Sequence, residues 1–222
     1  MRQWRRIRRA GLGCVLGLLF AASAYAGPAL DVHAGSLGGG LGLTFEVARG
    51  LDVRAGFNVA NATRTVTSDN IRYDGQIKFQ TVGALADWYP FDGAFRLSAG
   101  LYYNDNKADL TAFPDAGGTY TIDGNTYTAA QVGSLTGTVR FNRSSPYIGL
   151  GFGNPMRGGP WTFMLDVGAL YQGSPKVNLS ASGTLANPQL AADIASARQT
   201  AESDAAKYRW WPLVQLGLGY RF

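Results

Sequence analysis

Cysteine is almost missing from this 222-residue chain: Cys14 is the only one, and histidine too appears once, as His33. Without paired cysteines there is no disulfide scaffold, and without His/Cys spacing there is no zinc-type ligand set. Long apolar runs are absent beyond the first 26 residues, so no helix of about 20 apolar residues crosses a bilayer. A surplus of positive charge is missing as well, once the N-terminus is set aside. The chain has 20 Lys+Arg against 15 Asp+Glu, but five arginines and no acids fall in residues 1–26, leaving fifteen of each. The high pI therefore gives no support for a nucleic-acid partner.

Those first residues have their own pattern. Arg2, Arg5, Arg6, Arg8 and Arg9 precede an apolar stretch that closes on Ala24-Tyr25-Ala26. A basic n-region, an h-region and an A-x-A site predict a cleaved export signal over 1–26 and one mature domain over 27–222. Cys14 lies before the apolar VLGLLF rather than after it, which argues against a lipidated cysteine.

The mature chain is rich in strict alternation. Leu41, Leu43, Phe45 and Val47 alternate with Gly42, Thr44 and Glu46; Phe95, Leu97, Ala99, Leu101 and Tyr103 alternate with Arg96, Ser98, Gly100 and Tyr102. The closing segment repeats it, with Val214, Leu216, Leu218, Tyr220 and Phe222 on one face and Gln215, Gly217, Gly219 and Arg221 on the other. Period two means strands. The expected strands are 30–36, 37–48, 51–60, 76–89, 95–105, 136–152, 161–173 and 208–222, with a phase slip between Phe141 and Ile148. Short links fall at 48–50, 90–94 and 153–160, and long ones at about 60–75, 105–135 and 173–207.

Register adds detail. A turn at Asp92-Gly93 pairs Trp88 with Leu97 and Gly83 with Tyr102, so bulky residues meet glycines on one face. It also sets Asp87 diagonal to Arg96, and a turn at 48–50 sets Glu46 diagonal to Arg54. The glycine-rich face with opposed charges is too sparse for a wet surface. The apolar face carries aromatics at its ends, including Trp88, Tyr103, Trp161, Tyr171, Trp210 and Phe222. That inside-out pattern predicts an all-β, antiparallel up-and-down transmembrane barrel of eight strands. By phase, Glu46, Asp52, Arg54, Asp87, Arg96, Tyr102, Arg140, Asp166, Gln215 and Arg221 face the lumen. They are candidates either for a charge-paired plug or for a narrow conduit for small polar solutes. Within the long links, 119–128 reads as a hairpin around Asp123-Gly124, and 187–207 as a helix capped by Asn187 with Pro188 first.

The strand ending DWYPF before Asp92-Gly93, then FRLSAGLYYN, PYIGLGFGN and the final LGLGYRF resemble the small proteobacterial outer-membrane barrels. These are the broad group that includes the OmpA membrane domain, OmpX, OmpW and CarO-like proteins. The resemblance implies residence in the outer membrane of a Gram-negative envelope and contact with outer-membrane lipid and lipopolysaccharide. With one histidine and no cysteine after residue 26, no cofactor or metal is expected; the chain is expected to be a monomer, and the resemblance implies that its C-terminal strand (Val214, Leu216, Leu218, Tyr220, Phe222) is read by the barrel-assembly machinery.

Non-enzymatic work is the expectation: a structural role, or narrow passage of solutes. The alternatives are a surface barrel acting through its loops and a lipid-modifying enzyme using His33. Residues 33–36 read His-Ala-Gly-Ser, not the His-x-Ser of such enzymes. GSLGGGLG at 35–42 lacks the Lys-Ser/Thr and helix of a phosphate loop.

Overall fold

The computed structural model describes residues 27–68, 71–114 and 118–222. The predicted export signal, with Cys14, lies outside these.

Eight antiparallel strands close a barrel. They are β1 (Ala29–Gly35), β2 (Gly38–Ala48), β3 (Leu51–Ser68), β4 (Ile71–Trp88), β5 (Phe95–Asn104), β10 (Ser144–Phe152), β11 (Trp161–Tyr171) and β13 (Trp210–Arg221). Each pairs with its neighbour, and β1 pairs with β13 to seal the wall, Leu30 opposite Tyr220 and Ala34 opposite Leu216. Closure leaves no barrel edge unpaired. The three links 49–50, 89–94 and 153–160 mark one end of the barrel, here called the lower end. The β4–β5 register is the expected one, Trp88 opposite Leu97 and Gly83 opposite Tyr102, although the link runs over six residues rather than a two-residue turn.

At the upper end the wall continues on one side only. The strands β6 (Lys107–Phe113), β9 (Leu135–Arg140) and β12 (Lys176–Ala181) join the tops of β3 and β4 in the order β12-β9-β6-β4-β3. Three expectations are corrected here. Residues 60–75 are not a long link, because β3 and β4 run on as 18-residue strands. The segment 136–152 is two strands, β9 and β10, interrupted at 141–143. Its phase does not slip, since Arg140 opposite Lys107 and Ile148 opposite Ala99 follow one register. Arg140 therefore points outward with Ile148, not into the lumen, and is exposed.

These strands extend past their apolar alternation because hydropathy inverts along them. In the barrel, β4 turns Trp88, Ala86, Ala84 and Val82 outward; above it the same face carries Gln80, Lys78 and Gln76, all exposed. The inner face changes the other way on β5 and β6, from Arg96, Ser98 and Asn104 to Ala108, Leu110 and Ala112. Each face alternates throughout; only its polarity switches.

The apolar inner face of the upper sheet is covered by the hairpin β7 (Thr119–Ile122) and β8 (Asn125–Thr128), and by helix α1 (Pro188–Ala205). Asp123 and Gly124 take positive φ at the hairpin turn, 49° and 81°, the geometry that Asp-Gly favours. Asn187 caps α1 by accepting from the Leu190 amide at 3.2 Å, with Pro188 first in the helix, as expected. Leu190 and Ile194 are buried against Ala112, Tyr120, Ile122, Leu135 and Ala181. No helix among the described residues is long and apolar enough to cross a membrane.

Candidate functional site

The outside of the barrel is apolar and the inside polar. Leu41, Ile148, Trp161 and Phe163 are 61, 66, 63 and 59% exposed, whereas Arg96, Asp87 and Asp166 are 0, 1 and 3% exposed. A protein surrounded by water would show the reverse. Two aromatic belts bound the apolar band. Trp161 packs on Tyr220 below (centroids 4.8 Å) and Tyr171 on Trp210 above (4.9 Å). Ten strand steps of about 3.3 Å, tilted by about 40°, separate Trp161 from Tyr171 by about 25 Å, the height of a membrane barrel's apolar band.

Inside, side chains fill the lumen in layers. At the lower end Arg221, half-buried, donates to the carbonyls of Met156 and Gly158 across the 153–160 link. Glu46 meets Arg157 at 3.8 Å, not Arg54 as its diagonal position suggested. Asp52 is buried in register between Glu46 and Asp87.

The centre is a closed set of charges. Arg54 donates to both oxygens of Asp166 at 2.9 and 3.0 Å and meets Asp87 at 3.0 Å. Arg96 donates to Asp166 at 2.7 Å and to the Gly153 carbonyl, and Ser98 donates to Asp87 at 2.5 Å. Two guanidinium groups and two carboxylates thus balance, joining β3, β4, β5 and β11. Isolated charges at that burial would be prohibitive; paired and hydrogen-bonded ones are tolerated. Gln215 lies beside them, in register with Asp166.

Above the cluster, Tyr102 and Tyr147 meet edge to face at 5.7 Å. They pack with Leu85, Leu37, Leu170 and Leu213 into a second core. Room for the rings comes from glycine. A Cβ on Gly83 would lie 2.5 Å from the Tyr102 ring, and one on Gly151 2.5 Å from the Arg96 guanidinium. The large-against-glycine pattern thus fills the interior.

His33 sits in this wall with its ring nitrogens 2.5 Å from an Asp31 carboxylate oxygen and 3.0 Å from the side-chain Oδ1 of Asn58; the Asn58 side-chain amide donates on to the Thr81 hydroxyl at 3.2 Å. Ser36 is turned away, donating to the Pro212 carbonyl. Beside His33, Arg54, Tyr102 and Gln215 border a void of about 10 Å³, room for about one water molecule.

Of the ten residues expected to face the lumen, Asp52, Arg54, Asp87, Arg96, Tyr102, Asp166 and Gln215 are buried. Glu46 and Arg221 close the lower rim, and Arg140 lies outside. Asp31, Asn58, Thr81, Asn104 and Gln172 are buried polar residues not singled out from sequence. Thr81 and Asn104 share the inward phase of Asp87 and Tyr102, so phase alone would have found them.

The remaining polar contacts tie the cap together. Tyr127 and Asn125 both donate to Asp193 of α1, as does Gln189. The bond from Tyr127 does most to hold the Asp193 carboxyl below the ordinary carboxylate range. The same bond pushes the Tyr127 phenol up to about 12.

No protein-family model and no curated protein matches this chain. Among solved structures, it is similar to CarO2 of Acinetobacter baumannii, at 22% identity and a TM-score of 0.59 over 89% of this chain and 99% of that one. CarO of the same organism follows at 21% identity and 0.58, over 90% and 99%. At that identity the likeness establishes the fold alone, a closed antiparallel barrel of eight strands.

Proposed function

We propose that this chain is an integral outer-membrane barrel of a Gram-negative envelope, with a sealed lumen, whose work is done by its outer surface and upper cap rather than by catalysis. The observation that carries this is the inversion of polarity along continuous strands. Apolar residues face outward for about 25 Å between two aromatic belts, and polar residues replace them above. On this reading the short links are periplasmic and the capped sheet is extracellular.

The filled interior supports a plug over a conduit. The Arg54–Asp87–Arg96–Asp166 cluster and the Tyr102–Tyr147 pair with its surrounding leucines follow one another along the lumen, and the void beside His33 has room for about one water molecule. The C-terminal strand presents Val214, Leu216, Leu218 and Phe222 outward, a face open to an assembly factor before closure and to lipid after it.

Planar-bilayer recording of the folded barrel, verified by unboiled gel mobility, tests this. A silent bilayer is the expected result. Discrete conductance steps altered by Asp87→Asn or Arg96→Gln would instead make the lumen a pathway. Fractionation with the inner membrane would overturn the location.

A further inference from the structure

The outward face of the upper sheet carries a row of cations. Lys78 on β4 stands opposite Lys107 on β6, Lys107 opposite Arg140 on β9, and Arg140 opposite Lys176 on β12. Directly opposed residues point to the same side of a sheet, with Cβ atoms about 5 Å apart, and like charges so placed repel. Four strands in succession nonetheless present a cation at the same level. Chance solvated lysines would scatter, and a fold under no other demand would alternate the signs.

Internal carboxylates do little to relieve this. Lys107 meets Asp109 of its own strand at 3.0 Å. Lys78, Arg140 and Lys176 form no ion pair within 4 Å among the described residues, and all three are exposed. Asp105, just before this strand, and Asp109 on it flank Lys107, so two carboxylates against four cations leave the patch a net positive charge.

The level of the row says what faces it. Lys78 lies four residues above Val82, and Lys107 four above Tyr103, on the face that both turn to the bilayer. Four steps of about 3.3 Å, tilted by about 40°, raise the row about 10 Å above the last apolar residues. That is the head-group layer of the outer leaflet, directly beside the barrel wall rather than over its mouth. An aqueous partner would have to reach down to it; a lipid head group is already there.

We infer that Lys78, Lys107, Arg140 and Lys176 form a binding ledge for the phosphate groups of the glycolipid that makes up the surrounding outer leaflet. The spacing suits it: cations carried on Cβ atoms about 5 Å apart across the strands let one phosphate bridge two of them, turning repulsion into charge-assisted contacts. Arg140, flanked by Lys107 and Lys176, has the planar fork that grips phosphate oxygens in pairs. The inference rests on the outer-membrane reading and adds to it the lipid chemistry and the residues.

The test uses the folded full-length barrel in nanodiscs of neutral phospholipid doped with bisphosphorylated lipid A or its dephosphorylated form, with bound lipid counted by native mass spectrometry. The unaltered protein should retain the bisphosphorylated lipid and lose it as ionic strength rises. Lys78→Gln/Arg140→Gln/Lys176→Gln should weaken retention roughly a hundredfold, given about one cation's worth of surface attraction per residue. Lys78→Arg/Lys176→Arg should keep it, as should Arg198→Gln/Lys207→Gln, which removes two cations on and just after the cap helix. Should the triple variant fail to fold, Arg140→Gln alone should still cost about fivefold. Equal retention of the dephosphorylated lipid, or salt-independent binding, overturns the ledge. A barrel that is folded and fractionates with the outer membrane yet ignores phosphate would sink this inference and leave the proposed function standing.

Discussion

Arg54 and Asp166, 112 residues apart in the chain, clasp one another across the lumen through two near-parallel hydrogen bonds of 2.9 and 3.0 Å. The pair is held at one end by β3 and at the other by β11, strands that are not neighbours in the wall. It acts as a strut through the barrel, and Asp87 and Arg96 brace it from β4 and β5.

Removing one end of the strut should therefore be costly. Asp166→Asn leaves two buried guanidinium groups with a single carboxylate between them, and should lower unfolding stability by about 3–5 kcal/mol. Urea titration followed by tryptophan fluorescence in lipid vesicles would measure it. A loss below about 1 kcal/mol would mean that water reaches and solvates the cluster.

Gly83→Ala should push the added methyl into the Tyr102 ring and cost about 1–3 kcal/mol. Tyr102→Leu should remove the clash, so the double variant should be less destabilised than the sum of the two singles. Additive costs in the same titration would show that the ring has room to move.

Polarity along β4 gives a ruler for the bilayer. Ala84→Arg places a cation inside the apolar band and should cost about 2–4 kcal/mol, while Gln76→Arg, on the same face eight residues higher, should cost about 0–1 kcal/mol. Equal costs would mean that the apolar band ends elsewhere.

The cap should respond to pH at two edges through one hydrogen bond. Asp193 is held below its ordinary value, chiefly by the bond from Tyr127. Its contribution is full above the unfolded pKa of about 3.9 and is lost as pH falls through the depressed folded value. Tyr127 is raised to about 12, so its contribution is full below about pH 10 and is lost as pH rises through about 12. Hydrogen exchange over residues 118–132 should therefore be slow across the neutral range and accelerate at both extremes beyond the chemical rate, corrected with model peptides. Tyr127→Phe should flatten the alkaline edge and weaken the acid one; an unchanged profile would break the link between the hairpin and α1.

Much of the barrel was readable because its outward face is apolar and its inward face small or charged, at period two. Trp88 opposite Leu97 and Gly83 opposite Tyr102 follow from a turn and a parity. The tops of β3 and β4 are not legible from apolar alternation, because there the alternation changes sign. Arg140 was misassigned at the interruption of 141–143, where Phe141 suggested a change of phase that the register shows did not occur. The Arg54–Asp166 strut was not readable at all. Parity says that both point inward, but which inward residues meet depends on the stagger with which the barrel closes. The helix α1 and the Asp123-Gly124 hairpin were legible from caps and turn residues, yet not where they would dock.

The ladder that closes the wall is a short one. Seven residues of β1 meet β13, whereas β3 and β4 meet over eighteen each. The β3–β4 hairpin is also local in sequence, and the β1–β13 seam joins segments about 180 residues apart. Loop closure over that distance carries an entropic cost that the hairpin avoids, and topologies dominated by distant pairings fold slowly. The hairpin is thus suited to forming first, and the seam, which needs β13 in place, to forming last. Until it does, β1 and β13 each present an unpaired edge, and speed of closure, more than strength of the finished wall, decides whether those edges find each other or a neighbouring chain.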